Sequence, residues 1–175
     1  MVYPTVIKRL AEQYNTAFCL VEINDIGGQV ADVLYSDLEY ENVLMTSHQG
    51  RKGQTISGGF GKGGVQFGVR TSQVVKKLGC SVLKSLIEED KLLVEDQDIV
   101  GELTTFVGKK QSYQADDGHH DDLVMCLVLF GWLTRQEYFK NLTNIDVRTD
   151  IYQDEIDQLE DDMSPFGFIN NDTAE

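Results

Sequence analysis

The sequence has few prolines, tryptophans and cysteines, and these shortages narrow the class of protein. Its 175 residues include two prolines, one tryptophan and three cysteines. Cys19, Cys80 and Cys126 lie far apart and form no CxxC pair, which disfavours a disulfide framework or a zinc site and predicts reduced core thiols. The first residues form neither a basic nor an apolar targeting region, so we expect no secretion signal and an intracellular setting.

Long hydrophobic runs are also absent. The longest, Leu123 to Leu133, has about half of the ~20 residues that cross a bilayer, so we expect no membrane span. Hydrophobic residues make up 41% of the chain and charged residues 25%, which is ordinary globular usage and disfavours disorder or a fibrous repeat. The length predicts one compact domain.

Acidic residues are missing between Asn42 and Ile87, where seven bases occur. A net charge of −14 ordinarily argues against a nucleic-acid partner. Residues 137–175 alone contribute −9 of it, so this argument does not apply to the rest of the chain. We therefore divide the chain into a domain over residues 1–140 and an acidic tail over 141–175. Within the domain, residues 47–71 hold eight of the 16 glycines and predict a basic, mobile hairpin or flap.

Hydrophobic spacing predicts alternating helices and strands. Helices are expected over residues 4–14, 29–37, 74–87 and 123–133 and around 99–106, and strands over 18–23, 43–46 and 112–115. This alternation favours an α/β fold with helices on both sides of the sheet. The strand at 18–23 should be parallel and buried on both faces, the helix at 123–133 buried on all sides with a capping acidic start, and Gly79 a point of close packing.

Three carboxylates are candidates for chemistry. A charged Glu22 inside a buried strand costs several kcal/mol unless a cation or salt bridge compensates. Asp121 and Asp122 precede an apolar helix, where they could simply cap it. If the strand end and the helix start meet at one rim of the sheet, these carboxylates predict a site for Mg²⁺ that supports phosphodiester cleavage. His119 and His120 could be ligands or proton carriers, or lie on the surface.

Bases in and after the glycine-rich stretch favour contacts with DNA phosphates, against the alternative of a solvated loop. The candidates are Arg51, Lys52, Lys62, Arg70, Lys76 and Lys77.

Two motifs resemble one protein family. The run Val21-Glu22-Ile23-Asn24 with Gly27-Gly28, and the run from Gly118-His119-His120-Asp121-Asp122 to Met125, are similar to the nuclease domain of the large terminase subunit of tailed bacteriophages. The segments Leu78 to Lys84 and Leu129 to Leu133 resemble its T-even-like branch. The likeness extends over about residues 3–140.

The resemblance implies an RNase H-like mixed sheet flanked by helices, and metal-dependent endonuclease cleavage of concatemeric viral DNA during headful packaging. It implies Glu22 and Asp122 as catalytic ligands of two Mg²⁺ or Mn²⁺ ions, with Asp121 as a neighbouring ligand. It also implies as partners double-stranded viral DNA, the portal protein, the small terminase subunit and the packaging ATPase domain of the large subunit. The setting would be the host cytoplasm, at the procapsid.

The chain departs from the family pattern in two ways. The family's first catalytic aspartate lies on an opening strand that is not found here, so we expect an N-terminally incomplete nuclease domain. The glycine-rich stretch also looks longer than the family's hairpin. Two alternatives stay open: a non-catalytic module that docks DNA or the portal, and an RNase H-like Holliday-junction resolvase.

Overall fold

The computed structural model describes residues 2–48, 54–57, 64–109 and 112–141, and its compact unit spans Met1–Phe139. The helices are α1 (Tyr3–Gln13), α2 (Gly27–Asp32), α3 (Gln73–Glu88), α4 (Gln97–Thr105) and α5 (Asp122–Thr134), and a π-helical turn, Val33–Asp37, continues α2. The strands are β1 (Met45–His48), β2 (Gln54–Ser57), β3 (Val65–Phe67), β4 (Phe106–Lys109) and β5 (Ser112–Ala115). The chain therefore has a mixed α/β fold.

The strands form two small antiparallel sheets. β1 lies between β2 and β3, and pairs Thr46 with Ile56 on one side and with Gln66 on the other. β4 and β5 form a hairpin. The predicted flap at residues 47–71 thus includes two strand pairings, although its residues 49–53 and 58–63 lie outside the described residues.

Residues 18–23, which we call the bridge segment, connect the first helix to the sheet. Cys19 makes a parallel bridge with Val43 and Glu22 makes one with Val69. The hydrogen bonds of these two bridges are made by the backbone groups of residues 19, 21 and 23. The parallel direction predicted for this segment is confirmed. Its burial on both faces is not, because half of the Phe18 surface is exposed.

Helices cover both faces of the bridge segment. Cys19 and Val21 pack with α1, α2 and the π-helical turn around Leu34, whereas Leu20 packs with α3 and α5 around Trp132. Since side chains of an extended segment alternate between faces, neighbouring residues reach opposite helical layers. The predicted cover of helices on both sides is confirmed.

α3 and α5 pack closely because two glycines meet between them. A Cβ atom on Gly79 would lie 2.2 Å from the carbonyl oxygen of Val128, and one on Gly131 would lie 2.8 Å from that of Gly79. Larger residues would push the two backbones apart. The close approach predicted at Gly79 is confirmed.

Two predictions about helices are wrong in part. The helix expected over residues 29–37 is α-helical only to Asp32 and π-helical beyond it. α5 is not buried on all sides, because 40% of the Leu123 surface and 39% of the Phe130 surface are exposed. A helix of uniform apolarity can thus still present a face to solvent.

The cysteines are free, as predicted. Cys19 and Cys80 are half-buried, but Cys126 is exposed on α5 and is not a core thiol. Among the described helices, none has both the length and the apolarity needed to cross a membrane. The predicted acidic tail lies outside the described residues, apart from Asn141.

Candidate active site

The backbone around Glu22 is fixed on two sides. The Ile23 N–H donates to the Val69 carbonyl at 2.9 Å, and the Val69 N–H donates to the Val21 carbonyl at 2.8 Å. On the other side α2 begins so close that a Cβ atom on Gly27 would lie 1.8 Å from the Glu22 carbonyl oxygen. Only glycine fits at position 27, so the first glycine of the Gly27-Gly28 pair follows from packing, whereas Gly28 has open space around it.

Asn24 ties the end of the bridge segment to the residues before α3. Its side-chain oxygen accepts from the Thr71 N–H at 3.1 Å, and its amide group donates to the Thr71 carbonyl at 3.4 Å. Ser72 then caps α3 by accepting from the Val75 N–H. The end of the segment that carries Glu22 is thereby held to a long, well-capped helix.

The second motif contains the start of α5. Gly118 has a φ of +85° in the turn that leads to the helix, a conformation that glycine adopts without strain. His119 and His120 are exposed in this connection, and Asp122 is the exposed first residue of α5. Asp121 precedes it and is half-buried.

Asp121 has structural partners. Its Oδ2 accepts from the Ala115 N–H of β5 at 3.1 Å and lies 4.0 Å from the Lys76 ammonium. Lys76 is largely buried and lies 5.8 Å from the centre of the Phe106 ring. The predicted capping of α5 by its own acidic start is wrong, because Asp121 makes no side-chain hydrogen bond to that helix.

Glu102 of α4 caps α5 instead. Its Oε2 accepts from the N–H groups of Leu123 at 2.8 Å and Val124 at 3.0 Å. These are two of the free backbone donors at the start of any helix, and a carboxylate also suits the positive end of the helix dipole.

The charges of Glu22 and Asp122 both influence one side chain, the thiol of Cys126. Partial burial raises the pKa of the Cys126 thiol, and the negative charges of Glu22, Asp122 and Glu102 raise this pKa further. Glu22 and Asp122, one hundred residues apart in the sequence, thus both act electrostatically on the same thiol. Burial likewise raises the pKa of the nearby Cys80 thiol, so neither thiol is activated.

The donor set partly fits a divalent metal. Carboxylate oxygens are the ligands that Mg²⁺ and Mn²⁺ prefer, and within the described residues neither the Glu22 nor the Asp122 carboxylate has an ion pair or hydrogen bond. However, no group of three possible ligands forms in that part of the chain. The Glu22 and Asp122 carboxylates are thus not engaged by other described side chains, while Asp121 is already engaged by Lys76 and Ala115.

The candidate DNA-contacting bases are placed unevenly. Arg51, Lys52 and Lys62 lie outside the described residues. Arg70 and Lys77 have exposed side chains before and on α3, and Lys76 faces Asp121. Of the six predicted bases, the structure thus places two at the described surface, both near the start of α3.

The comparison with known families agrees with this architecture. Residues 3–130 match the terminase RNaseH-like domain family. The chain belongs to this family, which confirms the resemblance seen in the two motifs and supports a terminase nuclease-type role.

Sequence reasoning missed Glu102. It lies on a helix predicted only from Ile99, Leu103 and Phe106, and no local spacing connects position 102 with positions 123 and 124. No local signal points to it, because Asp121 at the N-cap position is itself a residue type that usually caps a helix.

Proposed function

We propose that this protein provides the nuclease function of a terminase large subunit, the metal-dependent endonucleolytic cleavage of concatemeric viral DNA during headful packaging. The observation that carries the proposal is that the carboxylates of Glu22 and Asp122, both unpaired among the described side chains, act on the same thiol, that of Cys126. Membership of the terminase RNaseH-like domain family supports it independently.

Glu22 and Asp122 would hold Mg²⁺ or Mn²⁺, with two ions in the complete site. When bound, such ions supply the Lewis-acid chemistry that activates water and stabilises the leaving oxygen of a phosphodiester. The rigid backbone around Glu22 and the capped start of α5 keep the two carboxylates in place without metal. Their repulsion of DNA phosphate favours a bound cation.

DNA would approach along the basic side of the chain. Arg70 and Lys77 supply exposed positive charge, to which Arg51, Lys52 and Lys62 would add. Such contacts neutralise phosphates without reading bases. Lys76 would act less directly, since it faces Asp121.

The proposed setting is the viral packaging motor in the host cytoplasm, transiently attached to the procapsid. The packaging ATPase domain, the small terminase subunit and the portal protein are the partners proposed for it. Family membership supports these partners only at the level of the terminase role.

A plasmid-cleavage assay tests the proposal. The parent chain should nick or linearise supercoiled DNA with Mg²⁺ or Mn²⁺ and not with EDTA. Glu22→Gln and Asp122→Asn should each lower the rate by at least about 100-fold, because each removes charge from a metal ligand.

Asp37→Asn and Glu41→Gln are matched controls, because both carboxylates are exposed and lie on elements that carry none of the candidate ligands. They should cleave like the parent chain. Cleavage that survives in Glu22→Gln and Asp122→Asn would assign the activity to another site and refute the proposal.

A second candidate, a non-catalytic docking module for DNA or portal, is favoured by one observation. The described residues contain no group of three possible metal ligands, and a two-carboxylate site would hold metal weakly. DNA binding by the parent chain without cleavage in either metal would favour this candidate.

A further inference from the structure

The first turn of α5 depends on other elements for its hydrogen bonds. The carboxylate of its N-cap residue, Asp121, accepts a hydrogen bond from the Ala115 N–H of β5. It makes no capping hydrogen bond to α5. The first backbone N–H groups of a helix have no partner within it. Those of Leu123 and Val124 would therefore lack an acceptor without help from outside α5.

Glu102 supplies that acceptor from a helix that is itself well defined. Asp96 caps α4, accepting from the N–H groups of Asp98 and Ile99 at 2.9 and 3.0 Å. One oxygen of Glu102, in the second turn of this helix, then accepts from both α5 donors. Hydrogen bonds to an ionised acceptor are shorter and stronger than neutral ones.

Asp122 lies between two residues that are held by hydrogen bonds to other elements. Asp121 is held by Ala115 and faces Lys76, and Leu123 is held by Glu102. The backbone at Asp122 is thereby held on both sides. The Glu102 charge also acts on the Cys126 thiol, as do those of Glu22 and Asp122.

We propose that Glu102 is a positioning residue, which caps α5 from α4 and thereby fixes the Asp122 carboxylate opposite Glu22. The role of Asp122 as a metal ligand rests on the proposed function, whereas its positioning by Glu102 can be tested without any activity. Glu102 is not itself proposed as a ligand, since its Oε2 is occupied by two backbone donors.

Two substitutions separate the hydrogen bonds of Glu102 from its charge. Glu102→Ala removes both, and Glu102→Gln keeps an acceptor oxygen while removing the charge. The control is Glu95→Ala, an exposed carboxylate just before α4. The readouts are amide hydrogen exchange at Leu123 and Val124, the NMR shift of the Asp122 carboxyl carbon, and the affinity for Mn²⁺ measured by calorimetry.

We expect Glu102→Ala to speed exchange of both amides by at least about tenfold, the effect of losing a hydrogen bond to a charged acceptor. The Asp122 carbon should shift, and Mn²⁺ affinity should fall severalfold. Glu102→Gln should restore most of each, and Glu95→Ala should change none.

Unchanged exchange in Glu102→Ala would overturn the proposal. So would faster exchange with an unaltered Asp122 shift, since Glu102 would then be only a helix cap. A Mn²⁺ affinity that falls equally in Glu102→Gln and Glu102→Ala would show a pure charge effect and would also overturn it. If the parent chain binds no Mn²⁺, the proposed function fails, while exchange and the Asp122 shift still decide the role of Glu102.

Discussion

Two adjacent aspartates have opposite surroundings at the start of α5. Asp121 accepts a hydrogen bond from Ala115 and faces a largely buried lysine, whereas Asp122 is exposed and has no such partner within the described residues. A carboxylate with partners contributes to folding, and one without them is free to bind a ligand. We therefore propose that these neighbouring residues divide roles, with Asp121 stabilising the fold and Asp122 binding metal.

We therefore expect Asp121→Ala to destabilise the protein by about 1–3 kcal/mol, because the half-buried Ala115 N–H and the Lys76 ammonium both lose their partner. Asp121→Asn should cost less, since an amide oxygen can still accept from Ala115. Asp122→Asn should leave the free energy of unfolding within about 0.5 kcal/mol of the parent value. Urea denaturation measures all three variants, and an equal loss in Asp121→Ala and Asp122→Asn would contradict the division of roles.

At this scale the sequence predicted the residues with local signals and missed the one without. Glu22 and Asp122 could be proposed as site residues because a charge in an apolar run and an acidic start before an apolar helix are visible in the chain itself. Glu102 meets α5 only through tertiary packing, 21 residues away along the chain. A cap provided by another helix leaves no mark in the local pattern.

The pairing of α3 with α5 rests on glycine. Gly79 and Gly131 face each other's backbones, and the Leu83 side chain packs with Val124 and Val128 beside them. The backbones can approach this closely only where side chains are absent. The helix that carries Asp122 is thus held against the helix that carries Lys76.

Gly79→Ala should destabilise the protein by about 1–3 kcal/mol, the usual cost of an overpacked core, because the added methyl would meet the Val128 backbone. Gly101→Ala is the matched control. That helical glycine has open space around it, so alanine should be neutral or stabilising by up to ~1 kcal/mol. The urea midpoint at constant m-value measures both, and a Gly79→Ala variant as stable as the parent would show that the helices can separate freely.

Helices with a clear apolar stripe were predictable, and the exceptions have physical reasons. α3 was predicted within one or two residues at each end because its apolar residues recur on one face. The exposed face of α5 could not be predicted, since uniform apolarity carries no information about direction. The π-helical turn after α2 holds Tyr35 stacked on Phe67 at 4.2 Å, a contact with a strand thirty residues later.

On the scale of the whole molecule, charge and sheet edges are both distributed unevenly. The acid-free stretch between Asn42 and Ile87 contains β1 to β3 and most of α3, whereas Glu22, Glu102 and Asp122 come from three other segments. The α/β alternation was predictable from spacing. The actual pairing of strands was not, because it depends on contacts between distant segments.

The bridge segment pairs along only one edge. The backbone groups of residues 19, 21 and 23 point toward residues 42–44 and 69. Within the described chain, no acceptor is found for the N–H groups of Phe18, Leu20 and Glu22. Beside it, α1 exposes an apolar stripe formed by Tyr3, Val6, Leu10 and Tyr14. Lys8 lies on the opposite flank, where its ammonium donates to the Leu38 carbonyl. An open edge next to apolar surface is a feature that proteins usually protect.

Hydrogen exchange tests this one-sided pairing. The amides of Leu20 and Glu22 should exchange at least about tenfold faster than those of Cys19 and Ile23, because only the latter donate to a carbonyl. The alternation should hold in dilute solution and be independent of protein concentration. Equal protection at all four amides would mean that another strand covers the edge. Protection that rises with concentration would identify a second copy of the chain as its source, since self-association through an open edge requires two molecules.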